Sequence, residues 1–289
     1  MILVTGASGT VGREVLSEVR KTGKPVLALY RSVEDARSAP AGVNTVIADF
    51  ADQAALPKAL RGVDTVFLVC SPIPELVQLE SNMVDACVET GVRHVVLNSA
   101  LGAGDYDKSF PSWHRKVEDK LKATRLAWTM LRPNSFHQNT VMYFAPSIRE
   151  QGAYYRSLGN AKLSYLDARD VGAVAAKTLT SDGHIAKVYE LNGPEALTST
   201  QVAEKIAKHS GRPVKYVDIS MEAQRKAMLE QGLPEWLIAA ELDLQQYYAN
   251  GRGGDVDDVL MGLLGRPPIR LDEYLSQNKE AFRSQAAGA

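Results

Sequence analysis

The chain has 289 residues, 45% of them hydrophobic, and its 33 basic and 34 acidic side chains leave a net charge of −1. That balance gives no general pull toward nucleic acid or an anionic membrane, and no uninterrupted apolar run is long enough to cross a bilayer. Cys70 and Cys87 are the only cysteines, both in apolar segments. Two thiols make no disulfide framework, so a reducing, cytoplasmic setting is expected. The length allows one large core or one core with an added lobe, as a monomer or a homodimer.

In chain order, the first predicted strand, Ile2–Thr5, runs straight into Gly6, Gly9 and Gly12, and a helical pattern covers Val11–Lys21. Gly6 permits a tight turn. Gly9 lets a backbone approach a pyrophosphate where a Cβ would collide, and Gly12 lets the helix pack tightly on the strand. The free N–H groups and positive end of the helix then face phosphate. Gly6, Ser8, Gly9, Thr10, Val11 and Gly12 are therefore expected to hold a dinucleotide. The motif starts almost at Met1, so no signal or transit peptide is expected before it.

Further strands are predicted at Pro25–Tyr30, Thr45–Asp49, Thr65–Cys70, His94–Ser99 and Trp128–Leu131, with helices at Gln53–Leu60, Glu75–Thr90 and Trp113–Ala123. Repeated strand–helix units require a parallel sheet, and right-handed crossovers then make it doubly wound. The fold class is α/β, a Rossmann sheet with a smaller C-terminal substrate-side lobe. After Pro133 the alternation breaks. Strands are expected at Lys187–Leu191 and Val214–Asp218, and helices at Ser199–Lys208 (capped by Thr198 or Ser199), Ala223–Gln231 and Glu235–Tyr248. Gly251–Gly254 reads as a turn, and the small polar tail from Ser284 as fraying. The division drawn is 1–150 for the dinucleotide-binding domain and 151–289 for a mixed segment that completes the sheet and forms the lobe.

The end of the second strand reads the adenosine ribose: an acid there selects NAD, a base NADP. Here it is Leu29-Tyr30-Arg31-Ser32, with no acid at the tip. Arg31 offers a planar fork suited to a 2′-phosphate, so NADP(H) is expected over NAD(H), although Glu34 and Asp35 follow closely. The other reading of Arg31 is a solvated loop charge. Asp49, at the end of the third strand, either meets the adenine or forms a local cap. Cys70, Ser71 and Pro72 lie on the expected cofactor path, with Cys70 read as a packed thiol. Ser99 ends the fifth strand, where its hydroxyl either serves the site or satisfies backbone. Pro133 rigidifies the turn after the sixth strand. No metal site is expected.

Short-chain reductases carry a Tyr-x-x-x-Lys on the helix after the fifth strand. Here that helix reads Ser109-Phe110-Pro111-Ser112-Trp113-His114-Arg115-Lys116-Val117-Glu118 and has no such pair; Tyr106 is followed four residues later by Phe110. It has His114 and Glu118 instead, which share a helix face. They either interact with each other, point together into one site, or are an ordinary surface pair. If Glu118 orients the imidazole, His114 meets the nicotinamide ribose or donates a proton.

The Gly6/Gly9/Gly12 spacing, Arg31, Asn98-Ser99-Ala100, the His114/Glu118 pair, Leu131-Arg132-Pro133-Asn134-Ser135-Phe136, Asp167-Ala168-Arg169-Asp170-Val171 and Tyr189-Glu190-Leu191-Asn192-Gly193-Pro194 together resemble the NmrA-like branch of the atypical short-chain dehydrogenases/reductases. Within it the chain is similar to triphenylmethane reductases and bacterial type-2 quinone oxidoreductases. The resemblance implies NAD(P)H-dependent reduction, with His114 where isoflavone reductases carry a lysine. Without the tyrosine, hydride is expected to pass directly to a quinone or another conjugated electrophile, which needs no strong protein acid. Phe110, Trp113, Phe136, Met142, Tyr143, Tyr154 and Trp236 are candidates for an aromatic pocket, each of which could also be ordinary core. The rival reading is a non-catalytic, NADP-binding sensor of the NmrA type. Asp167 and Asp170 are read as bracing a helix near Val171, and Asn134 and Asn139 as turn formers.

Overall fold

A computed structural model describes residues 1–283; the tail from Ser284 lies outside the described residues. The chain opens with β1 (Ile2–Val4), α1 (Thr10–Lys21), β2 (Val26–Tyr30), α2 (Val33–Ala36), β3 (Asn44–Ile47), α3 (Leu56–Ala59), β4 (Thr65–Leu68), α4 (Leu76–Thr90), β5 (His94–Asn98), α5 (Ser109–Lys122) and β6 (Ala127–Pro133). A π-helical turn at Thr140–Phe144 leads into α6 (Ala145–Gln151), β7 (Ala153–Arg156), β8 (Lys162–Leu163), α7 (Ala168–Thr180), β9 (Lys187–Leu191) and β10 (Leu197–Thr198). Then come α8 (Ser199–Ser210), β11 (Lys215–Asp218), α9 (Met221–Glu230), α10 (Glu235–Ala249), α11 (Val259–Leu264) and α12 (Leu271–Asn278).

Two compact units divide these elements. The first is Met1–Pro133 with Ala168–Leu191; the second is Asn134–Asp167 with Asn192–Ala289. The single boundary expected at residue 150 is thus replaced by three passages of the chain between units. The physical reason is sheet completion: Lys187–Leu191 returns to pair in parallel with β6, Leu131 opposite Tyr189.

The first unit holds a seven-stranded sheet in the order β3-β2-β1-β4-β5-β6-β9, every pairing parallel. The order reverses between β1 and β4, so their C-terminal ends flank the crevice where such sheets take ligands. The Thr5 hydroxyl ties those ends together, donating to the Val69 carbonyl at 3.0 Å and accepting from the Val69 N–H at 2.9 Å.

One face of the sheet, with Leu3, Val66, Leu68 and Val95, packs on α4 and α5 through Met83, Cys87, Val117 and Leu121. Full burial of such side chains stabilises by about 1.5–3 kcal/mol each. The buried stripe of α4 has two polar members: Asn82, which accepts from Gln53 and Gln78 and donates to the Phe50 carbonyl, and Glu80, fully buried, with neither carboxylate oxygen hydrogen-bonded. Burial pushes its pKa up to about 8, against a smaller downward pull from the Cys70 N–H.

Two predicted helices differ from the expectation. Gln53–Leu60 contracts to α3, because the Asp52 carboxylate accepts the Ala54 and Ala55 N–H groups and folds those residues into a turn. The helix expected from Trp113 begins at Ser109, with Pro111 tolerated in its first turn.

The second unit contains two small sheets, β8 with β10 antiparallel and β7 with β11 parallel. The expected strand near Val214–Asp218 lies here. Thr198 caps α8 in a capping box with Gln201. Asn134 is fixed by donating to Asn192 Oδ1 at 3.0 Å and to the Gly253 carbonyl at 2.8 Å.

Candidate functional site

The β1–α1 turn is built by its glycines. Gly6 has φ +56°, which favours glycine. A Cβ on Gly12 would lie 2.1 Å from the Gly6 carbonyl oxygen, so only glycine lets the helix approach this closely. A Cβ on Gly9 would meet only the Gly6 carbonyl oxygen, at 3.3 Å, and otherwise faces open space. Gly9 caps α1 without a side-chain hydrogen bond, and no acid sits in the first turn. The leading N–H groups of α1 therefore point outward at the positive end of the helix, which suits an anion.

Arg31 is exposed at the tip of β2. The two acids behind it are engaged elsewhere: Asp35 with the Ser32 hydroxyl at 2.8 Å and Glu34 with Arg37 at 2.6 Å. Ser32 also caps α2. Asp49 is exposed and accepts the Ala51 N–H at 2.8 Å, a local turn that leaves its second oxygen outward. Ser71 and Pro72 are exposed, and Cys70 is half-buried, its thiol pushed up to about 12 by burial and by Glu80. That thiol is unreactive at neutral pH.

At the ends of β5 and β6 the structure differs from the expected pairing on α5. Glu118 does not orient His114. Its Oε1 accepts the Ser99 hydroxyl at 2.7 Å and Arg132 Nε at 2.9 Å; its Oε2 accepts Arg132 Nη2 at 2.7 Å and Lys122 Nζ at 3.3 Å. Burial pushes the Glu118 pKa up, but the hydrogen bonds of Arg132 and Ser99 outweigh it and hold the carboxyl ionised. His114 is buried, its Nδ1 without a hydrogen-bond partner. Burial lowers the imidazole to about 4 despite the attraction of Glu118, so the ring is neutral. Arg132 also reaches Glu190 at 3.3 Å. Pro133 closes β6, its carbonyl accepting the Leu101 N–H at 3.0 Å. Arg132 is the partner sequence reasoning missed: helix spacing leaves open whether Glu118 meets His114, and its hydrogen-bond partner comes from the next strand.

The aromatic candidates divide between the units. Phe110 and Trp113 stand edge to face at 5.2 Å in the first unit, Phe110 buried and Trp113 packed on the core. In the second unit Phe136 is half-buried beside Leu166, Tyr154 is buried, and Met142, Tyr143 and Trp236 are exposed by 53%, 63% and 37%. Asp167 accepts from Gln138 at 3.0 Å and Asn139 donates to Ser135 at 3.1 Å, both inside the second unit. Among the described residues no group of His, Cys, Asp and Glu could hold a metal, and no helix is long and apolar enough to cross a membrane.

A parallel sheet with a glycine turn at its switch point and an uncapped helix behind it defines a dinucleotide-binding protein of the Rossmann class. The chain belongs to the NmrA-like family, whose model matches residues 1–261. It is 37% identical over 284 residues to an NAD(P)H azoreductase of Xenophilus azovorans, covering 98% of this chain and 99% of that protein. The NADPH complex of an NADPH-dependent quinone oxidoreductase from Escherichia coli superposes with a TM-score of 0.89 at 30% identity, covering 96% of this chain and 99% of that one. The NADP(H) complex of the Citrobacter sp. triphenylmethane reductase gives 0.87 at 25% identity, with the same coverage.

Proposed function

We propose that the protein is an NADP(H)-dependent oxidoreductase that passes hydride directly to quinone-like or other conjugated electrophilic acceptors. The observation that carries this reading is the Ser99–Glu118 hydrogen bond, which commits the serine proton to an ionised carboxylate. With His114 neutral and no Tyr-x-x-x-Lys on it, α5 supplies no activated proton donor. Reduction of a plain ketone to an alkoxide needs one; reduction of a quinone or a cationic dye does not. The relatives' names, which speak of azo, quinone and triphenylmethane acceptors, support the same class.

In this reading Gly6, Ser8, Gly9, Thr10, Val11 and Gly12 hold the pyrophosphate, the leading N–H groups of α1 serving as donors. Arg31 takes the 2′-phosphate and Asp49 the adenine edge. Cys70, Ser71 and Pro72 border the cofactor's path. Ser99, its proton spent on Glu118, accepts a hydrogen bond there rather than donating one, and Pro133 fixes the turn beside it. NADPH, when bound, supplies the hydride; the proton that completes a hydroquinone comes from water. His114 acts through shape and through a neutral N–H, not as an imidazolium acid.

The test is NADPH oxidation across matched small quinones, cationic triphenylmethane dyes and aliphatic ketones. Turnover with quinones or dyes and none with ketones is expected. Activity confined to simple ketones would overturn the mechanism, and tight NADPH binding without turnover of any acceptor would favour the sensor.

A further inference from the structure

Arg156, the last residue of β7, is a guanidinium without a counter-ion in the second unit. The side chain is half-buried. Of its five N–H donors, the structure pairs one, from Nη1 to the Tyr165 hydroxyl at 3.0 Å. Its charged carbon lies 5.5 Å from the centre of the Phe144 ring. Among the described residues no carboxylate forms an ion pair with it.

Two carboxylates were placed to do so and do not. Asp218 stands opposite Arg156 in the β7–β11 ladder, but its Oδ1 accepts the Tyr216 hydroxyl at 2.6 Å and the Gly159 N–H at 2.8 Å. Glu241 on α10 attracts Arg156 without reaching it, and burial pushes the Glu241 carboxyl toward its neutral form. The other groups that act on the guanidinium are the phenols of Tyr165, Tyr154 and Tyr248. A half-buried charge with idle donors is costly unless something pairs with it.

The ground beside it is aromatic. The π-helical turn Thr140–Phe144 stacks Phe144 on Tyr154 at 4.4 Å beneath the guanidinium, and leaves Met142 and Tyr143 exposed. Tyr143 directly precedes Phe144, whose ring lies under the guanidinium. Such irregular turns collect at functional sites.

We propose that Arg156 binds the oxyanion of an aromatic acceptor, a sulfonate, carboxylate or phosphate group, while the acceptor's ring lies against Tyr143 and Met142. The protein then selects anionic over neutral conjugated acceptors. The planar fork of arginine matches two oxygens of such a group, which a lysine would meet only as a point charge. This rests on the reductase reading above.

The experiment compares kcat/KM for 1,4-naphthoquinone-2-sulfonate and 1,4-naphthoquinone with NADPH in wild type, Arg156→Gln, Arg156→Lys and Glu241→Gln. The ratio of the two values is read, so folding and cofactor effects common to both acceptors cancel. Arg156→Gln is expected to lower the ratio about 10–100-fold, through KM for the sulfonate, as loss of a charge-assisted contact does. Arg156→Lys lowers it less, and Glu241→Gln raises it. If Arg156→Gln does not fold, the other two variants decide by the same criterion. An unchanged ratio, or an equal rise in KM for both quinones, overturns the proposal. If wild type reduces neither quinone, the reductase reading fails, and calorimetry decides the anion site alone. Naphthalene-2-sulfonate, naphthalene-2-carboxylate or 2-naphthyl phosphate must bind wild type and lose that binding in Arg156→Gln or Arg156→Lys. Equal binding, or none, overturns it.

Discussion

Ser99 donates its hydroxyl hydrogen to Glu118 at 2.7 Å, and the same carboxylate oxygen accepts from Arg132 Nε at 2.9 Å. An ionised carboxylate only accepts, so the direction of the serine hydrogen bond is fixed. The side chains of Glu118 and Arg132 are 1% and 11% exposed, which makes each the other's main source of solvation. Glu118→Gln should therefore destabilise the protein by roughly 3 kcal/mol, because Arg132 loses its buried partner and keeps only the more exposed Glu190, at 3.3 Å. Ser99→Ala should cost only about 1 kcal/mol. Thermal denaturation of both variants checks this, and equal losses would contradict it.

His114 is held down at about 4 by burial. Quinone reduction should accordingly show no imidazole titration between pH 5 and 8. His114→Ala should slow kcat by less than about 10-fold, below the usual range for loss of a general acid. A pH profile with a limb near 6.5 that vanishes in His114→Ala would make His114 the acid.

Glu80 gives stability an alkaline slope. Below pH 4.5 its carboxyl is protonated in folded and unfolded chains alike and carries no penalty. Between 4.5 and about 8 the unfolded chain releases the proton while the folded one keeps it. The folded state then binds more protons, so stability falls by about 1.4 kcal/mol per pH unit, to a loss of about 5 kcal/mol at pH 8. Glu80→Gln should remove that slope and raise Tm most at pH 8. Parallel Tm curves for the two proteins from pH 5 to 8 would refute it.

The glycines of the β1–α1 turn should separate binding from folding. Gly9→Val, facing open space, should leave circular dichroism intact and abolish NADPH binding. Gly12→Ala places its methyl against the Gly6 carbonyl and should fail to fold or melt far earlier. Normal NADPH affinity in a folded Gly9→Val protein would remove this turn from the site.

Arg31→Ala should weaken NADPH by roughly 10–150-fold, the worth of a charge-assisted contact of about 1.5–3 kcal/mol, and leave NADH nearly unaffected. Titration of both dinucleotides against both proteins decides. An unchanged NADPH/NADH ratio would assign the selection to another residue.

Local rules reach as far as local causes do. The strand–turn–helix at Gly6–Gly12 and the parallel strands through β6 follow from periodicity and glycine spacing within short windows. The strand at Lys187–Leu191 is readable too, but its place beside β6 is decided by pairing across more than fifty residues. Strands β8 and β10 are two residues each, too short for any alternation. At the site, helix spacing puts His114 and Glu118 on one face and leaves open whether they meet each other or other groups. Arg132 reaches Glu118 only because the crossover lays β6 beside β5. No motif surrounds Arg156; its isolation is visible only once Asp218 is seen to bond Tyr216 and Gly159 and Glu241 to form no ion pair with it.

The late return of β9 bears on biosynthesis. Until Lys187–Leu191 leaves the ribosome, β6 is a bare parallel edge of the nascent sheet, and α1 waits for α7, its partner in the first unit. For the time needed to make some fifty residues, the growing chain offers that edge to any strand that meets it, including one from a neighbouring nascent copy. A chain cut at residue 150 would carry the open edge permanently and should aggregate.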